Sequence, residues 1–302
     1  MMSARFLTVV LERAFNMRDG FGREIDYMRI SVIDSCNLNC YYCNPCDNNE
    51  HCHALNILSV KEVLCIVRAA TRLGIKHFRL TGGEPLLHPQ LDEMVLQIKK
   101  IPGVSSVSLT TNAVLLVQHA KWLKEAGIDS INVSLDTIDA SEYERITKKP
   151  LLEEVKHGIN AAIECGIRVK INVVLTPQTD VVALTRYVAK KGTDIRFIEM
   201  MPVGEGHTNG VEPYKKVIGT LSKLYGEPCR INTEKTKEIN SGNDKRKIPD
   251  NGPAEYYIFP ELGIRVGLIQ AIHGKFCDTC NRIRVTADGR LMPCLGSSVT
   301  MD

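Results

Sequence analysis

The stretch "YMRISVIDSCNLNCYYC", residues 27–43, joins an apolar segment to a loop that contains three cysteines. The apolar part, 27–34, is typical of a buried strand that runs directly into the loop. Cys36, Cys40 and Cys43 follow a C-x₃-C-x₂-C spacing. A structural zinc site uses four protein ligands, usually from two separate C-x₂-C turns, and disulfides need pairs. Three neighbouring thiolates therefore leave one ligand position that the loop does not fill.

A second triplet of cysteines lies close to the end of the sequence. Cys277 and Cys280 have a C-x₂-C spacing, and Cys294 follows a hairpin that the Asp-Gly pair at 288–289 indicates. Cysteine thiolates hold 4Fe–4S clusters, and a cluster with three protein ligands leaves one iron open to a small molecule. Two triplets, each one ligand short, favour iron–sulfur clusters over zinc. His273 is the alternative fourth ligand at the second site.

The composition is that of an ordinary globular protein, with 302 residues, 44% hydrophobic and 24% charged. A net charge of +3 is too mild to indicate a nucleic-acid partner. The first residues lack a signal-peptide pattern, and no segment is apolar for long enough to span a membrane. We expect a cytoplasmic protein, in which eleven cysteines indicate metal binding or catalysis rather than disulfides.

Six strand–helix repeats follow one another along the chain. Apolar strands are predicted at 27–34, 76–80, 104–112, 130–136, 168–175 and 195–200, and amphipathic helices at 59–74, 90–100, 117–127, 151–166 and 181–192. Such a series predicts an α/β fold with a parallel sheet buried on both faces. Right-handed crossovers would curl it into a full or partial (βα)6 TIM-like barrel.

Polar residues end several of these strands, at the edge where barrel enzymes have their active sites. They are Thr81, Thr110, Asn112, Ser134, Asp136 and Glu199. The pattern changes after residue 203, to a helix at 213–225, a polar stretch at 232–253 and short strands. We therefore expect an N-terminal extension (1–20), a barrel (21–230) and a smaller C-terminal region (231–302).

The cysteine loop after the first strand, combined with the Gly-Gly-Glu-Pro turn at 82–85 after the second, resembles the radical S-adenosylmethionine (SAM) superfamily. That resemblance implies a cluster whose open iron is chelated by the amine and carboxylate of SAM. The reduced cluster then cleaves SAM to a 5′-deoxyadenosyl radical. The glycines allow close approach of the backbone, and Glu84 offers a charge to the SAM ammonium.

Residues 19–295 resemble one family within it, the GTP 3′,8-cyclases of molybdenum cofactor biosynthesis (the MoaA family). The matching segments are "DGFGREIDYMRISVIDSCNLNCYYC", "FRLTGGEPLLHPQL", "LTTNAVLL", "INVSLDTID", "VKINVVL", "IRFIEMMPVG" and "FCDTCNRIRVTADGRLMPCL". The resemblance implies a lyase that converts GTP to (8S)-3′,8-cyclo-7,8-dihydroguanosine 5′-triphosphate, the first step of molybdopterin biosynthesis. The radical takes hydrogen from C3′ of GTP, and the ribose carbon attacks C8.

The resemblance also assigns roles to individual residues. Cys36, Cys40 and Cys43 would hold the SAM cluster, and Cys277, Cys280 and Cys294 an auxiliary 4Fe–4S cluster whose open iron binds guanine. Contacts to SAM fall on Tyr42, Gly83, Glu84, Ser134 and Met201. Contacts to GTP fall on Arg29, Arg79, Thr110, Lys170, Arg282 and Arg284, of which Arg29, Arg282 and Arg284 are expected to be catalytic. A reductase or flavodoxin-type electron donor and a homodimer are also expected.

The residue types suit those roles. A triphosphate needs several cations, and Arg supplies rigid bidentate donors. Arg29, Arg79 and Lys170 lie within apolar strands, where an unpaired charge is costly. An internal salt bridge with a strand-end carboxylate is the alternative for each. Arg282 and Arg284 alternate, so both side chains can point at one ligand.

The sequence departs from the family pattern in places. The family continues past the last cluster cysteine to a Gly-Gly end, whereas this sequence ends "LGSSVTMD", and "GLIQAIHGKFC" replaces a Ser-Pro turn. A truncated chain, a paralogue acting on another nucleotide or on a peptide, and a non-enzymatic iron–sulfur or zinc protein are the alternatives. Among the other cysteines, we expect Cys65 and Cys165 in the core and Cys229 at a strand edge. Cys46, His51, Cys52 and His53 are expected in a surface loop, with a third metal site as the alternative.

Overall fold

The computed structural model describes residues 17–43, 56–202, 210–231, 252–297 and 299–302. Strands β1 to β6 span Tyr27–Ser31, His77–Thr81, Ser106–Thr111, Ser130–Ser134, Arg168–Leu175 and Asp194–Glu199. Helices α1 to α6 span Val60–Arg72, Leu91–Lys99, Leu116–Glu125, Ala140–Thr147, Leu152–Glu164 and Val181–Lys190. The loop with Cys46, His51, Cys52 and His53 lies outside the described residues, as do most of the N-terminal extension and of the polar stretch at 232–253.

The last third of the chain adds further elements. A π-helical turn, Tyr214–Ile218, leads into α7, Gly219–Tyr225. Strands β7 to β11 span Cys229–Ile231, Glu255–Ile258, Arg265–Ile269, Arg282–Val285 and Leu291–Met292. None of the helices in the described ranges has the length and apolar character needed to span a membrane.

Strands β1 to β6 pair in sequence order and are all parallel. Each connection between them contains a helix, as expected because parallel strands need a crossover. The predicted α/β fold is thus confirmed: the six strands have the order of a partial (βα)6 barrel. The predicted start of the helix at 59–74 is confirmed in detail, because Ser59 and Glu62 form the capping box of α1.

The two faces of the sheet differ in chemistry. Met28, Ile30 and Phe78 belong to the apolar core shared with the helices. The alternating side chains point to the opposite face. Buried polar side chains alternate with the core residues in this way, at Arg79, Ser108, Asn132, Lys170 and Arg196. Both faces are buried, as predicted, but only the helix-covered face is apolar.

The C-terminal strands belong to the same sheet as the barrel strands. β10 pairs in parallel with β1, and β9 pairs in parallel with β6. The full order is β11-β10-β1-β2-β3-β4-β5-β6-β9-β8-β7. Both outer strands of the parallel set are therefore covered by segments from the end of the chain. The division at residues 20 and 230 stays a prediction.

Three smaller predictions have clear outcomes. The hairpin is confirmed: β10 and β11 are antiparallel, and Gly289 has a φ of 86° in the turn between them. Cys229 lies on the edge strand β7, as expected. The core position predicted for Cys65 is wrong, because its side chain is exposed on α1, and Cys165 is only partly buried.

Candidate active site

The first cysteine loop is fixed at the carboxyl end of the parallel strands. Beyond β1, the Val32 N–H donates to the Thr81 carbonyl at 2.8 Å, which keeps the chain beside β2. Asn39 and Tyr41 then donate to the carbonyls of Thr147 and Ile146 at 3.0 and 3.1 Å. The loop therefore rests on the C-terminal end of α4, a helix that the sequence analysis missed although Asp139 caps its first turn.

The three thiols of this loop lie close enough to influence one another. Burial, followed by the charges of Asp136, Cys43 and Cys36, raises the pKa of Cys40 to about 12. Burial is also the main reason that the pKa values of Cys36 and Cys43 are raised. Three neighbouring thiolates repel one another and need a compensating cation, and iron provides one.

The donor set of this loop is of the type that holds iron–sulfur clusters, since cysteine thiolates are their usual ligands. Within the described parts of the chain, no three His, Cys, Asp or Glu side chains are grouped so as to hold one metal ion. A cluster of four irons presents its ligand positions on separate metal atoms, so its cysteines stand further apart than those of a mononuclear site. Cys36, Cys40 and Cys43, on one loop, supply the three thiolates of a cluster that leaves one iron open.

The Gly-Gly-Glu-Pro turn packs directly against the cysteine loop. Gly83 and Glu84 donate their N–H groups to the carbonyls of Ile33 and Ser35, each at 2.8 Å. A Cβ atom on Gly83 would stand 2.1 Å from the Ser35 carbonyl oxygen, so only glycine fits this approach. Glycine was predicted here because it lets the backbone approach a ligand closely. In the structure, it lets the turn approach the backbone of the cysteine loop.

Glu84 is almost completely buried, with 1% of its surface exposed. Its Oε1 accepts from the Thr111 hydroxyl at 2.7 Å and the Leu86 N–H at 3.0 Å, and Oε2 accepts from the Asn112 N–H at 2.7 Å. Burial raises the pKa of Glu84 to about 6. The chain itself thus uses both carboxylate oxygens, and the contact of Glu84 with the SAM ammonium stays a prediction.

The side chain of Tyr42 reaches the segment that follows β4. Its hydroxyl donates to Asp136, whose other oxygen accepts from the Val174 N–H at 2.7 Å. Burial raises the pKa of Asp136 to about 6. Ser134 is exposed at the end of β4, and Met201 follows β6. The predicted SAM residues thus come from three strand ends and the loop, all on one rim of the sheet.

Three arginines form a row across the polar face of the sheet. Arg284 on β10 is the register partner of Arg29 on β1, which is the register partner of Arg79 on β2. Burial, and then the charge of Arg284, lowers the pKa of Arg29 well below its ordinary value. Its Nε is buried and has no hydrogen-bond partner among the described residues.

The salt bridges that the sequence left open for Arg29 and Arg79 are not formed with any of the described residues. In the described ranges, neither Arg29 nor Arg79 is within ion-pair distance of a carboxylate. Arg79 is buried, and it donates through Nε to the Tyr27 hydroxyl and through Nη1 to the Leu109 carbonyl at 3.1 Å and the Thr110 hydroxyl at 3.3 Å. Within the described residues, the row is therefore a concentration of positive charge with no carboxylate in ion-pair contact with Arg29 or Arg79.

The remaining predicted GTP residues lie on the same face. Lys170 is buried on β5, and its Nζ lies 5.8 Å from the centre of the Tyr256 ring. Arg282 is half-buried on β10, two residues before Arg284, with its guanidinium 5.2 Å from the centre of the Phe276 ring. The structure thus brings Arg29, Arg79, Arg282 and Arg284 onto three adjacent strands, with Lys170 further along the sheet.

The second cysteine site adjoins this row. Cys277 and Cys280 flank a single helical turn, with the Cys280 N–H donating to the Cys277 carbonyl at 3.2 Å, and Cys294 follows β11. Cys280 and Cys294 act electrostatically on Arg284. Arg23, which the sequence analysis missed, donates to the Cys277 carbonyl at 2.6 Å. Cys280 and Cys294 are thus placed near Arg284, and Cys277 lies near Arg23.

His273, the alternative fourth ligand, has a partner within the protein. Its Nδ1 contacts Glu199, which also accepts from the N–H groups of Ile272 at 2.7 Å and His273 at 3.1 Å. This carboxylate holds the segment that leads to Cys277 against the end of β6. The strand-end position of Glu199 was a signal in the sequence. Nothing in the sequence indicated that His273 would be its partner.

Comparisons with known proteins agree with this geometry. The sequence profile of the radical SAM superfamily matches residues 30–184, and the profile described as Molybdenum Cofactor Synthesis C matches residues 193–302. The GTP 3′,8-cyclase of Clostridium perfringens (strain SM101) is 37% identical over 282 residues, covering 92% of this chain and 83% of the relative. The GTP 3′,8-cyclase of Pelotomaculum thermopropionicum is 38% identical over 286 residues, covering 92% and 84%.

A solved structure supports the fold independently of sequence. Streptococcus suis SuiB bound to S-adenosylmethionine superposes with a TM-score of 0.63 at 16% identity over 92% of this chain. The chain spans 63% of the length of SuiB, and the likeness concerns the fold alone. From the two profiles and from these relatives, which match nearly the whole sequence, the chain belongs to the GTP 3′,8-cyclase family of the radical SAM superfamily.

Proposed function

We propose that this protein converts GTP to (8S)-3′,8-cyclo-7,8-dihydroguanosine 5′-triphosphate, as the GTP 3′,8-cyclase of molybdenum cofactor biosynthesis. Membership of that family supports the reaction. The observation that supports GTP as the substrate is the row of Arg284, Arg29 and Arg79. In this row, the buried Nε of Arg29 has no partner among the described residues. A buried charge without a partner is costly, and an anionic ligand removes that cost.

The arginines, Thr110 and Lys170 would bind and orient the nucleotide. Guanidinium groups form bidentate, charge-assisted hydrogen bonds to phosphate oxygens, which fix orientation as well as charge. Arg29 stands at the centre of the row, between Arg284 and Arg79, and Arg282 and Arg284 also lie near the second cysteine site. A nucleotide held by these side chains would be fixed between the two cysteine sites.

The first cysteine loop would hold the SAM cluster, with Tyr42, Gly83, Glu84, Ser134 and Met201 around the cofactor. When bound, cluster and SAM supply the 5′-deoxyadenosyl radical. The residues of this chain enclose that chemistry: the loop is closed against the turn at 82–85, and Tyr42 is tied to Asp136. Exclusion of water protects a reactive intermediate. Cys277, Cys280 and Cys294 would hold the auxiliary cluster, which supplies an open iron for guanine.

Several finer features belong to the same proposal. Reduction of the cluster needs a low-potential one-electron donor, for which a reductase or a flavodoxin-type protein is the expected class. The proposal also includes a homodimer and a cytoplasmic location. It divides the chain into an N-terminal extension, a barrel and an auxiliary-cluster region.

The direct test is a survey of nucleotides under anaerobic conditions. Reconstituted protein is incubated with SAM, reductant and GTP, ATP, CTP or UTP in turn, and mass spectrometry follows 5′-deoxyadenosine and the nucleotide. Of the four nucleotides, we expect only GTP to be converted. A Cys40→Ser variant should not cleave SAM. Conversion of another nucleotide, or SAM cleavage that none of them changes, would reject GTP as the substrate.

A further inference from the structure

Tyr27 lies between the arginine row and the second cysteine site. It precedes Arg29 by two residues on β1 and so points to the same polar face. The side chain is buried, and its hydroxyl accepts a hydrogen bond from Arg79 Nε. This contact buries a tyrosine hydroxyl against a guanidinium on the face where GTP is proposed to bind. Such a specific arrangement indicates a role for Tyr27 there.

The ring of Tyr27 is fixed from several sides. The His77 ring stacks on it with a centroid distance of 6.4 Å, and the Tyr27 N–H donates to the Asn281 carbonyl at 3.2 Å. Asn281 directly follows Cys280, and its side chain donates to Asp26 at 2.6 Å. The hydroxyl is therefore held at a defined position relative to both β2 and the second cysteine site.

The contact decides which way the guanidinium of Arg79 faces. A guanidinium has five N–H donors in one plane, so fixing two of its nitrogens fixes the third. Nε donates to Tyr27, and Nη1 donates to the Leu109 carbonyl at 3.1 Å and to the Thr110 hydroxyl at 3.3 Å. Nη2 has no hydrogen-bond partner within the described ranges. Tyr27 thus leaves one defined edge of Arg79 for a ligand.

Electrostatics agree with the geometry. Although burial disfavours the ionised phenol, the charges of Arg79 and Arg29 lower the pKa of Tyr27 below its ordinary value. The hydroxyl oxygen therefore lies in a strongly positive environment, in which it is a good acceptor for Arg79.

We propose that Tyr27 is a positioning residue for the nucleotide: its hydroxyl holds Arg79 so that Nη2 faces the anionic part of the substrate. The inference rests on the proposed function, since it concerns the binding of GTP. It assigns a role to a residue for which the sequence had given none.

The test combines GTP binding with a double-mutant cycle in the reconstituted protein. Tyr27→Phe removes one oxygen and keeps the ring, so we expect both clusters to load fully and GTP to bind about tenfold more weakly, the usual effect of losing a hydrogen bond to a charged group. In an Arg79→Ala background, Tyr27→Phe should cause no further loss, because its route through Arg79 is gone. The KM for GTP should rise while kcat stays close to that of the parent.

A matched control is available on α6. The hydroxyl of Tyr187 is also buried but has no hydrogen-bond partner among the described residues, so Tyr187→Phe should leave GTP affinity unchanged. If Tyr27→Phe loads iron poorly, incorporation of 4-fluorophenylalanine at position 27 keeps the ring and fills part of the space of the hydroxyl, while fluorine is a much weaker acceptor, and a similar loss of GTP affinity is then expected.

The outcomes separate the two claims. If the parent protein does not bind GTP, the proposed function fails and this inference with it. If the parent binds GTP and Tyr27→Phe binds it equally well, only the role of Tyr27 is rejected. Independent, additive losses from Tyr27→Phe and Arg79→Ala would also reject it, because the hydroxyl would then act other than through Arg79.

Discussion

Arg29 is a half-buried arginine whose Nε is enclosed and has no hydrogen-bond partner among the described residues. Such a group destabilises the ligand-free fold, and the cost is tolerated where a ligand needs the charge. The sequence located this residue, because an arginine inside an apolar strand is conspicuous. It did not reveal Tyr27, since tyrosine is an ordinary strand residue and only the three-dimensional contact with Arg79 marks it.

Replacing Arg29 by an apolar side chain should separate stability from binding. Without GTP, Arg29→Met is expected to raise the free energy of unfolding by about 1–3 kcal/mol, because it removes a charged side chain whose buried Nε has no partner among the described residues. The same variant should lose GTP binding. Denaturant unfolding and a binding titration measure the two effects. Arg145→Met, which alters an exposed arginine paired with Glu142 at 2.7 Å, is the control and should change stability by less than about 1 kcal/mol. A less stable Arg29→Met variant would contradict this account.

Asp136 should make stability depend on pH. Burial raises its pKa from 3.8 to about 6, so the folded state keeps a proton that the unfolded chain releases. The resulting stabilisation is present below about pH 4 and is lost as pH rises through about 6. Relative to Asp136→Asn, the parent should therefore lose about 2 kcal/mol between pH 4.5 and 7.5. Unfolding at both pH values measures the difference, and equal differences at the two would show that Asp136 titrates normally.

At the scale of elements, the important contact is between the cysteine loop and the turn at 82–85. Most elements were predictable because each has a local signal: the capping box began α1, and the bounds of β5 were those of its apolar run. Helix α4 was missed although Asp139 is a good N-cap, since the short helix has a single buried turn. The cysteine loop rests on that helix, so its omission hid part of the support for the site.

Adding one methyl group to the turn should disturb one cysteine site and spare the other. A Cβ at Gly83 would stand 2.1 Å from the Ser35 carbonyl oxygen, which must move and displace the loop. We expect Gly83→Ala to lose SAM binding and about half of the bound iron. Iron analysis and the electron paramagnetic signal of the second cluster report the two sites separately. Gly219→Ala, where a Cβ meets nothing within 4 Å, is the control. Full iron loading with unchanged SAM affinity in Gly83→Ala would contradict the packing described.

At the scale of the whole molecule, the end of the chain completes the sheet on both sides. β10 brings Arg284 beside Arg29, and β9 covers β6. The sequence did not predict this, because pairing between strands some 250 residues apart leaves no local pattern. The family resemblance supplied the predicted site residues, and the topology explains why the predicted arginines lie on adjacent strands.

The pairing of β6 with β9 should depend on one ion pair, so that loss of this pair lowers the stability of the protein. Asp194 accepts from the Arg265 backbone N–H at 3.2 Å and from two nitrogens of its guanidinium, in a nearly buried ion pair. Asp194→Ala should destabilise the protein by about 3–5 kcal/mol, the usual cost of breaking a buried pair from one side. Glu255→Ala, which breaks an exposed pair with Arg230, should cost less than about 1 kcal/mol. Equal costs for the two variants would mean that Asp194 does not secure the pairing of the strands.

The most direct test of the central claim follows the hydrogen at C3′ of GTP. The parent protein, with both clusters, SAM and reductant, is given GTP that carries deuterium at C3′, and mass spectrometry examines both products. The account predicts that deuterium appears in 5′-deoxyadenosine, together with a cyclised nucleotide that has lost the deuterium because C3′ is now bonded to C8. Cleavage of SAM in which the 5′-deoxyadenosine contains no deuterium and the GTP is recovered unchanged would contradict it.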